Sequence, residues 1–270
     1  MKIWDSHMHS SFSGDSQTPP EDMIAQARKL GLPGITFTDH LDWDFKEEPG
    51  LFDLDIPAYE NTIHQLIETY SNEDFKINYG IELGLQTHLS NRHRVLLLEN
   101  DFDYVIGSLH VIDGVDPYYP AYFENVDPYD AYRKSYEAML ENIIAFDEFD
   151  SLGHLDYVFR YGPAKKLNID SYEPFKELVE QILKFIIGHD IALEINTGSY
   201  KRGLKEPNPN YQIIKKYKEM GGNLITIGAD AHSPEYIGEH FDNIREMLLD
   251  TGFKAYQVYK SRTPYDMPLK

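Results

Sequence analysis

Leu224-Ile-Thr-Ile-Gly-Ala-Asp-Ala-His232 reads as a buried strand that stops in two ligand-type side chains. Leu224, Ile225 and Ile227 form its apolar run, Gly221-Gly222 marks its start, and His-Ser-Pro at 232–234 breaks it. Asp230 and His232 are two residues apart, so on an extended chain they share one face. Far away in sequence, Lys2-Ile3-Trp4-Asp5-Ser6-His7-Met8-His9 ends in the same manner, with His7 and His9 on one face. Two distant strands that finish in pairs of nitrogen and oxygen donors predict a sheet that gathers its strand ends.

Working outward, strand patterns recur at 34–40, 77–85, 104–111, 151–157 and 191–198. Helical patterns lie between them, near 20–30, 56–70, 91–99, 128–146, 172–188, 208–220 and 236–249. Residues 252–270 carry no clear assignment. Strands alternating with helices predict a parallel sheet. Every strand ends in polar residues, which favours a closed barrel over an open sheet, because barrel active groups converge at the C-terminal strand ends. The whole chain, 1–270, reads as one such α/β domain.

Composition narrows the chemistry. The formal charge is 25 − 45 = −20, the opposite of what a nucleic-acid phosphate tracker needs. There is no cysteine, so any metal must be held by imidazole nitrogen and carboxylate oxygen. No apolar run approaches the ~20 residues that span a bilayer, and no leader pattern precedes Lys2. The expectation is a soluble, cytoplasmic protein with no membrane partner.

The strand-end residues are His7, His9, His40, Glu82, His110, His154, Asp230 and His232. One strand-end histidine alone would be read as a satisfied core residue. Six, with two carboxylates, at the same end of successive strands predict a metal centre. The other five, His64, His88, His93, His189 and His240, read as surface or helix-capping side chains.

These residues carry a resemblance. His7-Met-His9, Thr38-Asp39-His40, Glu82, Gly107-Ser-Leu-His110, Gly153-His154 and Gly228-Ala-Asp-Ala-His232 are similar to the ordered motifs of the PHP (polymerase and histidinol phosphatase) family. The resemblance implies a distorted (β/α)7 TIM-like barrel with up to three divalent ions: Zn, Mn or Fe. It places His7, His9, Glu82 and Asp230 on a first ion. Glu82, bridging, would join His110 and His154 on a second. His40, His232 and Asp15 would hold a third, several relatives having His where Asp15 stands. Asp15 is otherwise an ordinary turn residue in Ser13-Gly14-Asp15-Ser16. Glu82, Asp230 and His232 are expected to stand nearest the chemistry. Asp39, Asp42, Asp156, Glu194 and Asn196 are either supports that fix ligand histidines or solvated loop and capping residues.

Two ions ~3.5–4 Å apart can share a water and make hydroxide near neutral pH, and a phosphate ester suits such a nucleophile. Arg160 and Arg202, after strands five and six, are expected to grip phosphate or else to be surface charge; Lys201 is a weaker candidate. The loop 112–124, with Asp113, Asp116, Tyr118, Tyr119, Tyr122, Phe123 and Glu124, offers acids for an ammonium and aromatics for a flat ring. Tyr161 and Trp43 are further wall candidates. His154-x-Asp156 and Arg160 look most like the histidinol-phosphate phosphatases of the family, implying hydrolysis of L-histidinol phosphate in histidine biosynthesis. Other readings are a family phosphatase for nucleotide or sugar phosphates, and a metal-binding barrel without catalysis.

Overall fold

The computed structural model describes residues 2–270. Its strands, numbered in chain order, are β1 (Asp5–Met8), β2 (Gly34–Phe37), β3 (His40–Leu41), β4 (Lys76–Gly84), β5 (Tyr104–Ser108), β6 (Ser151–Leu152), β7 (Ala192–Asn196), β8 (Ile225–Gly228), β9 (Ala255–Lys260) and β10 (Thr263–Pro268). Its helices are α1 (Pro20–Leu30), α2 (Ile56–Tyr70), α3 (Ser90–Glu99), α4 (Pro128–Ala145), α5 (Ala164–Leu167), α6 (Lys176–Gly188), α7 (Gly198–Lys201), α8 (Tyr211–Glu219) and α9 (Phe241–Thr251).

The parallel order is β1-β2-β4-β5-β6-β7-β8, with β3 continuing β2 along β4. A Met8–Ala231 bridge and two backbone bonds, His9 N to Ala231 O and Asp230 N to His7 O, join the ends into a barrel. The apolar strand residues fill its wall and the amphipathic helices cover it. Local chemistry sets the helix limits. Asp55, Asp127 and Asn210 accept backbone N–H groups at the starts of α2, α4 and α8. Gly31 ends α1 in the left-handed conformation at φ 70°. No helix among the described residues is long and apolar enough to cross a membrane.

The strands are shorter at their C-terminal ends than their patterns predict, because side chains there take over from the ladder. Between β2 and β3, the Asp39 carboxylate accepts from the backbone and hydroxyl groups of Ser10 and Ser13. After β6, His154 N donates to the Glu194 side chain, and 157–160 turn as a 3₁₀ helix. After β8, Asp230 sits at φ 54°, so the extended-strand argument for Asp230 and His232 does not hold, although both still reach the site. A non-glycine residue held there is a form of backbone strain typical of functional sites.

The unassigned tail is an antiparallel hairpin, β9–β10. It covers the N-terminal end of the barrel. Trp4 N donates to Tyr256 Oη at 2.8 Å, Asn78 Nδ2 to Tyr259 O at 2.7 Å, and Ile225 N to Gln257 Oε1 at 2.6 Å. Lys260 pairs with Asp103 and Arg262 with Asp150, both at 2.6 Å. A cavity lies at the other end, where the strands finish.

Candidate metal centre

The strand ends converge on Glu82, which is fully buried on β4. Its Oε2 lies 3.2 Å from His7 Nε2 and 3.4 Å from His9 Nε2. Its Oε1 lies 2.9 Å from His154 Nε2 and 3.3 Å from His110 Nε2. Asp230 Oδ1 adds a second carboxylate 3.4 Å from His9. One glutamate therefore divides its oxygens between two donor groups. Each group fits within a sphere that one ion could hold: His7, His9 and Asp230, and Glu82, His110 and His154.

A third group joins His40 and His232 to His9, whose ring stacks on both at 4.1 Å between centroids. Asp15 approaches His232 Nε2 at 2.9 Å and stays 3.9 Å from His40 Nε2, with 41% of its side chain exposed. His40 turns Nδ1 toward Glu82 Oε2 at 3.0 Å, and with Asp42 and His110 forms a fourth overlapping donor group.

The donor set fits divalent cations. His7 Nε2 and His9 Nε2 face each other at 3.1 Å, and His110 Nε2 and His154 Nε2 at 3.3 Å. In either facing pair a common cation would satisfy both lone pairs. Glu82 Oε2 and Asp42 Oδ2 lie 3.0 and 3.5 Å from His40 Nδ1; all three atoms are buried, yet none of them makes a well-directed hydrogen bond. Nitrogen and oxygen donors without thiolate suit Zn, Mn or Fe.

Supporting groups orient the rings. His110 Nδ1 pairs with Asp42 at 2.7 Å, His9 Nδ1 with Ser13 Oγ at 3.0 Å, and His232 Nδ1 donates to Asp230 O at 3.0 Å. Ser13 Oγ donates in turn to Asp39. Such contacts fix which nitrogen faces a metal. Asp156 hydrogen-bonds to none of the strand-end histidines. It accepts from Ser171, Asn208 and Asn210.

Electrostatics divide the rings. Burial disfavours charge on His7, yet Glu194, Glu82 and Asp230 together hold its pKa well above the imidazole range. Burial with the neighbouring His232 and His40 holds His9 well below that range. Burial opposes ionisation of Glu82, but His7, His40 and His110 outweigh it and keep the carboxyl well below its ordinary pKa. The cluster thus carries protons that divalent ions would displace.

Above these donors lies a cavity of about 370 Å³. Its lining includes Arg160, Lys201, Arg202 and Tyr161 together with Phe45, Glu48, Phe52, Asp116, Tyr118 and Tyr119. The Arg160 side chain is almost wholly buried, with 5% of it exposed. Its Nε donates to Asn208 Oδ1 at 2.7 Å, one terminal nitrogen to Asp230 Oδ2 at 2.7 Å, and the other to Asn196 Oδ1 at 2.6 Å. The expected free fork is thus braced on protein, with one further N–H on each terminal nitrogen. Arg202 lies over the Tyr161 ring at 5.4 Å, and Lys201 Nζ donates to Asp230 O at 2.9 Å.

Several expectations need correction. Of loop 112–124, Asp116, Tyr118 and Tyr119 reach the cavity. Asp113 pairs with Lys134 instead, Tyr122 donates to Ala131 O, and Phe123 packs on Tyr132. Trp43 is not a wall residue; it stacks on His93 and lies under Arg92. His93 is no surface histidine: it is fully buried and both its ring nitrogens lack partners. Tyr157, unremarked in the sequence, packs against His110 and His154 and donates to Asp116 Oδ1 at 3.2 Å. An aromatic three residues past a strand-end histidine was its available signal. Asn208, which braces Arg160, had none.

This geometry has relatives. The chain is 32% identical to the histidinol-phosphatase of Lactococcus lactis, over 96% of this chain and 95% of that protein. It is 30% identical to a protein of Clostridium acetobutylicum named as a probable histidinol-phosphatase, over 97% and 99%. Its fold matches the crystal structure of the L. lactis histidinol phosphate phosphatase, complexed with zinc, L-histidinol and phosphate. The TM-score is 0.89 at 28% identity, covering 98% of this chain and all of that one. The PHP domain model matches residues 5–198, which include the first five of the six motifs. A parallel barrel with histidines and acids at its strand ends, matched in sequence over most of its length, places this chain in the PHP domain family.

Proposed function

We propose that the chain hydrolyses L-histidinol phosphate to L-histidinol and phosphate. The observation that carries the reading is the cavity itself. Metal-donor clusters form its floor, Arg160, Lys201 and Arg202 stand together, and Asp116, Glu48, Tyr118 and Tyr119 are in the same lining. Such a lining suits a molecule with a phosphate dianion at one end and a ring with an ammonium at the other. Relatives over nearly the full length bear the corresponding name.

His7, His9, Glu82 and Asp230 would hold one ion, Glu82, His110 and His154 a second, and His40, His232 and Asp15 a third; Zn, Mn and Fe suit these donors. Divalent ions bound there supply an acidified water and neutralise phosphoryl oxygens. Glu82 and Asp230 fix the donor frame, and His232 stands at the cavity surface where the phosphate would enter. Arg160, braced by Asn208 and Asn196, directs its remaining N–H groups to phosphate oxygens; Arg202, beside Tyr161, is a second contact. Burial raises the Asp116 carboxyl to about 6, countered by His110 and the Tyr118 amide. An ammonium beside it would draw the group to its ionised form.

The test pairs elemental analysis with phosphate release from histidinol phosphate, sugar phosphates and nucleotides. Expected are two to three divalent ions per chain and the highest specificity constant for histidinol phosphate. A higher constant for a sugar phosphate or nucleotide would overturn the substrate. Fewer than one ion per chain after metal-supplemented growth would overturn the chemistry.

A further inference from the structure

Glu194 lies in the middle of β7 and is fully buried. Its Oε1 lies 2.5 Å from His7 Nδ1, and its Oε2 accepts the backbone N–H of His154 at 2.7 Å and Asn196 Nδ2 at 3.1 Å. His154 follows β6, the neighbour of β7, but His7 stands on β1, beyond β8. The carboxylate crosses β8 at Gly228. A Cβ at that position would lie 2.9 Å from Glu194 Oε1 and 2.2 Å from His7 Cβ. The missing side chain of Gly228 is the window through which the contact is made.

We infer that Glu194 is a positioning residue that makes the first and second metal sites interdependent. It accepts the Nδ1 proton of His7, which leaves the Nε2 lone pair facing Glu82 and His9. By the backbone of His154 it also aims that residue's Nε2 at Glu82 Oε1. The two donor groups then share one carboxylate in front, Glu82, and one behind, Glu194. The inference rests on reading His7 and His154 as metal ligands.

Glu194→Gln keeps the shape but has one oxygen for the three donors, His7 Nδ1, His154 N and Asn196 Nδ2. Its NH2 must face either the backbone of His154 or the ring of His7, where it favours the tautomer that cannot bind metal. Gly228→Ala keeps every polar group and closes the window. The experiment titrates zinc into metal-free wild type and both variants against a chromophoric chelator, with thermal unfolding of the metal-free proteins alongside. Both of the two tightest zinc equilibria should weaken roughly 10–100-fold in each variant. Metal-free melting of Glu194→Gln should stay near wild type, and excess zinc should restore its turnover with KM unchanged. Gly228→Ala, whose new Cβ meets His7 Cβ at 2.2 Å, should melt lower while weakening both equilibria together.

Wild-type zinc affinities in Glu194→Gln would overturn the inference, as would weakening of one equilibrium with the other intact. A wild type that binds no zinc would instead overturn the metal reading beneath it. Should neither variant fold, histidine ring nitrogen resonances of zinc-loaded wild type decide. A protonated Nδ1 and metal-bound Nε2 on His7 support the inference, and the reverse tautomer overturns it.

Discussion

At Arg160, three protein contacts hold a guanidinium flat at the mouth of the donor cluster. A charge-assisted hydrogen bond to phosphate contributes about 1.5–3 kcal/mol. Arg160→Ala should therefore lower the specificity constant roughly 10–100-fold and weaken inhibition by inorganic phosphate. Arg160→Lys should recover part of the loss, since an ammonium keeps charge without the planar fork. Wild-type values in Arg160→Ala would remove the residue from phosphate binding. The convergence of donor-type side chains was legible because they recur at the end of one strand after another, a coincidence that survives without coordinates. The bracing of Arg160 was not. Asn208 lies 48 residues away, and the contact depends on the 3₁₀ turn at 157–160 that carries the arginine inward.

Among the elements, α3 shows what local polarity hides. His93 lies between Arg92 and Arg94, and the surrounding charge reads as surface. The helix nevertheless buries Ser90, His93 and Leu96, spaced three apart, and His93 packs against Trp43 and Phe146. Burial lowers its pKa to about 4; nearby Asp42 opposes this, and Arg92 adds to it. The folded value is below the unfolded one, so the unfolded chain binds more protons between about pH 6.5 and 4. Stability from this site is complete above that window and falls as pH drops through it, by on the order of 3 kcal/mol. Exchanging His93 for Phe should flatten the acid limb of a denaturant-midpoint profile relative to wild type. Equal slopes between pH 7 and 4 would show that His93 does not titrate with unfolding. Strand ends had a similar limit: apolar spacing marks where a strand runs, and it is blind to the side-chain acceptors, such as Asp39 and Glu194, that stop the ladder.

For the molecule as a whole, the seven-unit parallel barrel followed from alternation of apolar runs, while the hairpin β9–β10 escaped notice. Its outer strand is mostly exposed and its inner one seats Tyr256, Val258 and Tyr259 against the barrel floor. Burying such side chains contributes about 1.5–3 kcal/mol each, so together they rival a typical net stability of ~5–15 kcal/mol. Removal of residues 255–270 should abolish cooperative unfolding by circular dichroism, and Tyr256→Phe should cost about 1–3 kcal/mol by stranding the Trp4 amide. A truncated chain that melts as wild type would make the hairpin an ornament. The Trp4–Tyr256 contact spans 252 residues. At a synthesis rate of ~5–20 residues per second, β1 waits roughly 13–50 s on the ribosome before that partner exists. For most of that interval one edge of the strand carrying His7 lacks its partner as well, because β8, which closes it, also comes late in the chain. A circular permutant that joins β9 directly ahead of β1 would shorten that wait, so its synthesis should yield less aggregate than that of the parent chain.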